Sequence, residues 1–221
     1  NTKTQALKQT FTVDATAGGK VYGNKGTRVS ISANALLDPS NNPVTGSVDI
    51  ELIEIYDKAT MVLANKPTMG RLPNGDLSTL LSGGEYYLNM TQGGVQLHSA
   101  TGVQVQVPSN TFDNEMKLFR GATNEQDNFV WDQVQDTIEF VEEQDSMGGF
   151  FMGYNILDNV WDWTNVDKFY SDPRPKTMIR AKLPEGFDAS NAEVFIAYKG
   201  EPLALAHMDM FTSDGYFSEH Y

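Results

Sequence analysis

The residues best suited to chemistry lie in one aromatic block, GGFFMGYNILDNVWDWTNVDKFY, at positions 148 to 170. Tyr154, Trp161, Trp163, Phe169 and Tyr170 are interspersed there with Asn155, Asp158, Asn159, Asp162, Asn165 and Asp167. Flat rings beside amides and carboxylates make a sugar-binding platform: the C–H face of a pyranose stacks on an aromatic ring, and its hydroxyls take hydrogen bonds at the rim. On this reading Tyr154, Trp161, Trp163 and Tyr170 are the ligand-binding candidates, and Trp161 and Trp163 share a face if the segment is a strand. The same spacing also suits tryptophans that plug the core of a small domain, where large aromatics dominate the energetics.

Other chemistry finds less support. The histidines are His98, His207 and His220, and no HExxH, HxH or cysteine pair supplies the local spacing of a zinc site. No G-x-S-x-G elbow is present, and neither phosphate-cradling glycine pattern is complete, so Gly18-Gly19 and Gly23 through Gly26 read as tight turns. Glycoside hydrolysis needs two carboxyls held in different environments, and the 29 acidic residues leave such a pair unspecified. No catalytic residue, organic cofactor or definite metal set is therefore assigned. A carboxylate-dependent glycosidase or calcium-dependent hydrolase stands as the competing class.

With 16 Lys and Arg against 29 Asp and Glu, the formal net charge of −13 argues against nucleic acid or an anionic membrane as partner, since phosphates are repelled. The longest apolar run is Val194 to Tyr198, far too short for a transmembrane segment. Hydrophobic content of 40% and charged content of 20% describe a globular chain. Cysteine is absent, which removes disulfides, thiolate metal sites and thiol nucleophiles without fixing the compartment.

The elements that must position these residues are strands. In GTRVSIS (26 to 32), Val29 and Ile31 face one side while Arg28, Ser30 and Ser32 face the other. In GVQVQVP (102 to 108), Val103, Val105 and Val107 oppose Gln104 and Gln106, and Pro108 ends the strand. SVDIELIEIYD (47 to 57) keeps Val48, Ile50 and Leu52 in phase and then shifts at Ile53 and Ile55, as an inserted bulge residue would cause. Ser82-Gly83-Gly84, Gln92-Gly93-Gly94, Pro73-Asn74-Gly75 and Ser213-Asp214-Gly215 read as turns. Helical signals are confined to a turn or two, as at Lys58 to Asn65.

The expected fold class is therefore all-β. Between Arg120 and Lys168 there is no basic residue, while eleven carboxylates fall in the interval. This predicts an N-terminal antiparallel β-sandwich over 1–120, a solvated acidic connection over 121–147 with calcium as its candidate ligand, and a smaller β-domain over 148–221.

The run GGKVYGNKGTRVSISANALLDPSNNPVTGSVDIELIEIYD (18 to 57) resembles the start of the ZU-five β-sandwich domain of ankyrins and netrin receptors. Gly26, Thr27, Val29, Ile31, Ala33 and Ala35 match its "G-T-x-(apolar)-x-I-P-x-x-A" pattern, and Ser32 stands where that family carries proline. With LSGGEYYLNMTQGGVQLHSATGVQVQVP (81 to 108) added, the first half is similar to modules in secreted or surface-anchored proteins of the Bacteroidota. The resemblance implies a scaffold or interaction role, usually without catalysis, in a secreted or surface-anchored setting; the expected partner is a glycan, on the aromatic block, or another surface protein.

Setting is otherwise marked only by short motifs. Asp136-Thr137-Ile138 and Asp145-Ser146-Met147 look like the O-glycosylation signal of such bacterial proteins, and Asn89-Met90-Thr91 fits the N-glycosylation sequon inside an expected strand. Position 1 is Asn rather than Met, and the expectation is a periplasmic or cell-surface chain whose export signal has been removed, with lipid anchoring before processing as one route.

Overall fold

A computed structural model describes residues 2–125, 128–144, 149–171, 175, 177–201 and 203–220. The fold is all-β. In chain order its elements begin with α1 (Thr2–Gln5), β1 (Gln9–Asp14), β2 (Gly19–Tyr22), β3 (Arg28–Ile31), β4 (Ser47–Ile55) and α2 (Lys58–Ala64). Next come β5 (Met69–Arg71), β6 (Leu77–Gln92), β7 (Val95–Gln96), β8 (Val103–Pro108), β9 (Lys117–Thr123) and β10 (Phe129–Gln133). The remainder is β11 (Ile138–Gln144), β12 (Phe150–Asp158), β13 (Trp163–Phe169), β14 (Met178–Ala181), β15 (Phe195–Ala197), β16 (Leu205–His207), β17 (Met210–Phe211) and β18 (Phe217–His220).

Two sheets form a sandwich. One follows the order β1-β4-β6-β13-β9-β10-β5, with β7 beside β6, and the other the order β11-β12-β8-β3-β2. The expected alternation decides which side chains meet between them. Val29, Ile31, Val103, Val105 and Val107 face Val48, Ile50, Leu52, Leu88 and Met90, all at 5% exposure or less. In the larger sheet β5 also pairs with β6, so β6, β13, β9, β10 and β5 close into a ring. Leu80, Phe119 and Trp131 form a buried cluster with Phe129, Trp163 and Phe169 packed on it. The Trp131 Nε1–H donates to the Pro67 carbonyl at 2.9 Å, which satisfies the one polar atom of that ring.

Three expectations are corrected here. The phase change in β4 is not a bulge, because its register with β6 runs unbroken from Asp49 to Ile55. Instead both faces are covered: Ile53 and Ile55 pack with Met61 and Ala64 of α2 and with Leu205. Ser82-Gly83-Gly84 is not a turn but lies inside the 16-residue β6, opposite a register shift between Asn165 and Asp167. Gly84 is required there, since its φ is 139° and an added Cβ would stand 2.6 Å from a Tyr56 ring carbon.

The third concerns the domain boundaries at 120 and 147, which do not coincide with breaks in the sheets. Strand β10 extends the larger sheet, β11 and β12 build the smaller one, and β13 sits centrally between β6 and β9. The acidic stretch escaped recognition as strand because its carboxylates point outward: in β11, Ile138 and Phe140 pack against the core while Glu139, Glu142 and Glu143 are more open. A separate sheet set begins later, with β14-β18-β17 and β15-β16. The second of these docks on the sandwich through Thr68, whose N–H donates to the Leu205 carbonyl at 2.8 Å.

Candidate functional site

At one end of the sandwich the 109–116 segment after β8 and the 134–137 crossing between the two sheets frame a groove of about 730 Å³. Its apolar floor is a stack of three rings. Tyr154 on β12 meets Phe140 on β11 edge-on at 5.3 Å between centroids, and Phe140 meets Phe112 at 5.1 Å. The first two rings are fixed by strand pairing, since Phe140 and Tyr154 are register partners. Phe112 comes from a loop and remains 64% exposed. Asn114, Gln133, Gln135, Thr137 and Glu139, all exposed, supply hydrogen-bonding side chains around it.

The loop that carries Phe112 is anchored from beneath. The Tyr154 hydroxyl accepts from the Asp113 N–H at 3.0 Å, and burial pushes the phenol up. The Asp113 carboxylate takes the Glu115 N–H at 2.9 Å and the Lys168 ammonium at 2.7 Å, and these bonds hold it below the usual carboxylate range. Lys168, bridging Asp113 and Glu115, is pushed up to about 12. The groove thus combines a rigid base, one open ring and several neutral polar side chains, the composition of a site that binds a polar ligand with apolar faces.

The four candidates from sequence do not form one platform. Tyr154 is 2% exposed and serves as the floor of the groove. Trp161 is 7% exposed and belongs to the core between the sheets. It precedes β13, which starts at Trp163, so the two indoles share no face. Trp163 lies half-buried on the opposite side of the larger sheet against Tyr87, Phe129 and the Lys66 ammonium. Tyr170 is half-buried beside Tyr198, 5.6 Å between centroids. The aromatic block mostly plugs cores, and the open ring, Phe112, was overlooked. Its signal was a lone large apolar residue inside the polar loop PSNTFDNEM.

Several other polar side chains are structural. His98 Nε2 bonds Asn41 Oδ1 at 3.0 Å, and His207 pairs with Glu193. Asp158, fully buried, accepts from the Tyr86 hydroxyl at 2.6 Å and the Val160 N–H at 3.1 Å, and pairs with Arg120 at 2.9 Å. Glu54 takes N–H bonds from Lys25 and Thr27, both at 2.9 Å, so the Gly23 to Thr27 turn wraps a carboxylate of its own chain. Among the described residues no group of three or more His, Asp or Glu is disposed to hold a metal ion. Nor is any helix there long and apolar enough to cross a membrane. Of the glycosylation motifs, Thr137 is exposed at the groove, Asn89 is half-buried within β6, and the Asp145 to Met147 motif lies outside the described residues. Comparison with protein-family models and with curated proteins finds no match to this chain.

Proposed function

We propose that the protein is a non-enzymatic, exported interaction module that takes a carbohydrate in the groove between the 109–116 and 134–137 segments. One observation carries the reading: Phe112, open to solvent to 64%, stands on a fixed aromatic base with side-chain amides and a hydroxyl beside it. A pyranose ring stacks on such a face and exchanges its water for the amides. The absence of catalysis in this proposal rests on where the unusual acids lie. The carboxyls raised well above their ordinary range, Glu85 and Asp167, are fully buried outside the groove, whereas Asp113 within it is held low. Placement at the cell surface rests on the resemblance of the first half to ZU-five-like surface modules.

Glycan-array binding of the wild type and of Phe112→Ala tests the proposal. Loss of the stacking ring should weaken a bound glycan about tenfold, equal to ~1.4 kcal/mol. Equal binding by both proteins would remove Phe112 from the site, and turnover of the bound glycan would favour the enzyme class. Recovery of the native protein only from cytosol would contradict the exported setting.

A further inference from the structure

A second polar cluster lies on the other face of the larger sheet. Asn165 on β13 stands opposite Glu85 on β6, and Asp167 stands opposite Ser82 in the next register row. Glu85, Asn165 and Asp167 are each 0% exposed, and Ser82 is 7%. The Ser82 hydroxyl donates to Asn165 Oδ1 at 2.8 Å, and Asn165 Nδ2 donates to Asp167 Oδ2 at 2.6 Å. Three carboxyl oxygens are buried there without a hydrogen-bond partner: Oε1 and Oε2 of Glu85 and Oδ1 of Asp167. The C-terminal segment passes alongside, its Leu203 carbonyl accepting the Ser82 N–H at 3.1 Å.

Ionised carboxylates in such a place are strongly unfavourable unless a positive charge answers them. Lys66 is the cation whose field reaches Glu85, yet its ammonium sits over the rings of Phe129 and Trp163, at 3.4 and 4.8 Å, and makes no ion pair with Glu85. Burial lowers it to about 8.

We propose that Glu85, Asp167, Asn165 and Ser82 bind a hard divalent cation of the calcium type, which ties β6 and β13 to the segment carrying Leu203. Every donor is oxygen, with no imidazole, thiolate or thioether in the set, and that composition selects a hard ion. Glu85 and Asp167 supply charge, and Asn165 and Ser82 neutral oxygens, toward the roughly six to eight that such an ion takes.

The test uses the whole chain stripped with chelator and returned to calcium chloride at neutral pH, with terbium as a luminescent substitute excited through nearby Trp163 and Tyr87. Calcium should raise the melting temperature by ~5 °C and should displace terbium luminescence. Glu85→Gln and Asp167→Asn should each abolish the shift. If either variant fails to fold, terbium binding to the wild type and its reversal by calcium decide the matter alone. No calcium shift and no calcium-reversible luminescence in the wild type would overturn the site and leave a carboxyl pair that exchanges only protons. An unchanged shift in both variants would place any bound calcium elsewhere and overturn it equally.

Discussion

Replacing Glu85 with glutamine should change how stability depends on pH, not only its level. In the folded chain burial pushes this carboxyl well above its ordinary 4.5; repulsion from Asp167 adds to the effect and Lys66 partly opposes it. The unfolded chain gives up the proton near 4.5, whereas the folded chain holds it to higher pH. The contribution of Glu85 is therefore fully present below pH about 4.5 and declines as pH rises toward the folded value. A carboxyl that is neutral folded and ionised unfolded removes about 1.4 kcal/mol per pH unit. In chelator, urea unfolding of wild type and Glu85→Gln at pH about 5 and about 7 should show the variant gaining on wild type as pH rises, by at most about 1.4 kcal/mol per pH unit. The amide replaces the neutral acid at nearly the same volume, so its packing penalty is common to both pH values and cancels from the comparison. A difference between the two proteins that stays constant with pH would refute the reasoning, because Glu85 would then be ionised in the folded chain.

Further outcomes follow from the same physics. Asp158→Leu strands Arg120, the Tyr86 hydroxyl and the Val160 N–H together, and should cost about 3 to 5 kcal/mol by chemical denaturation. Adding Arg120→Met should restore part of that loss, and strict additivity of the two changes would show that the pair does not act as a unit. Gly84→Ala forces a methyl group against Tyr56 at a φ of 139° and should cost about 1 to 3 kcal/mol, read as a lower urea midpoint. A midpoint equal to wild type would mean that β6 relaxes at its bulge.

The sandwich was readable wherever one strand face meets the core and the other meets water, as in Val103-Gln104-Val105-Gln106-Val107. Reading failed where that asymmetry is lost. Ile53 and Ile55 looked out of phase because a short helix and the C-terminal segment cover the second face of β4, a contact remote in sequence. The acidic interval looked like a tether because charge reports the exposed side of β11 and is silent about Ile138 and Phe140 on the other. Trp161 and Trp163 seemed to share a face because the start of β13, two residues after the first indole, is set by pairing with Tyr87. Only part of the groove was legible: Tyr154 was named for its ring, but Phe112 and Phe140 converge on it from segments 42 and 14 residues away. Glu85 and Asp167 were invisible for a related reason, being two among 29 acids until strand register sets them in adjacent rows.

The central claim is that the groove beneath Phe112 recognises a saccharide. Backbone amide NMR of the labelled protein, titrated with a glycan selected from an array, tests it most directly. The account predicts shifts concentrated in residues 112–117 and 133–140 that disappear in Phe112→Ala. Shifts confined to another surface, such as the strands around Tyr22 and Arg28, would contradict it.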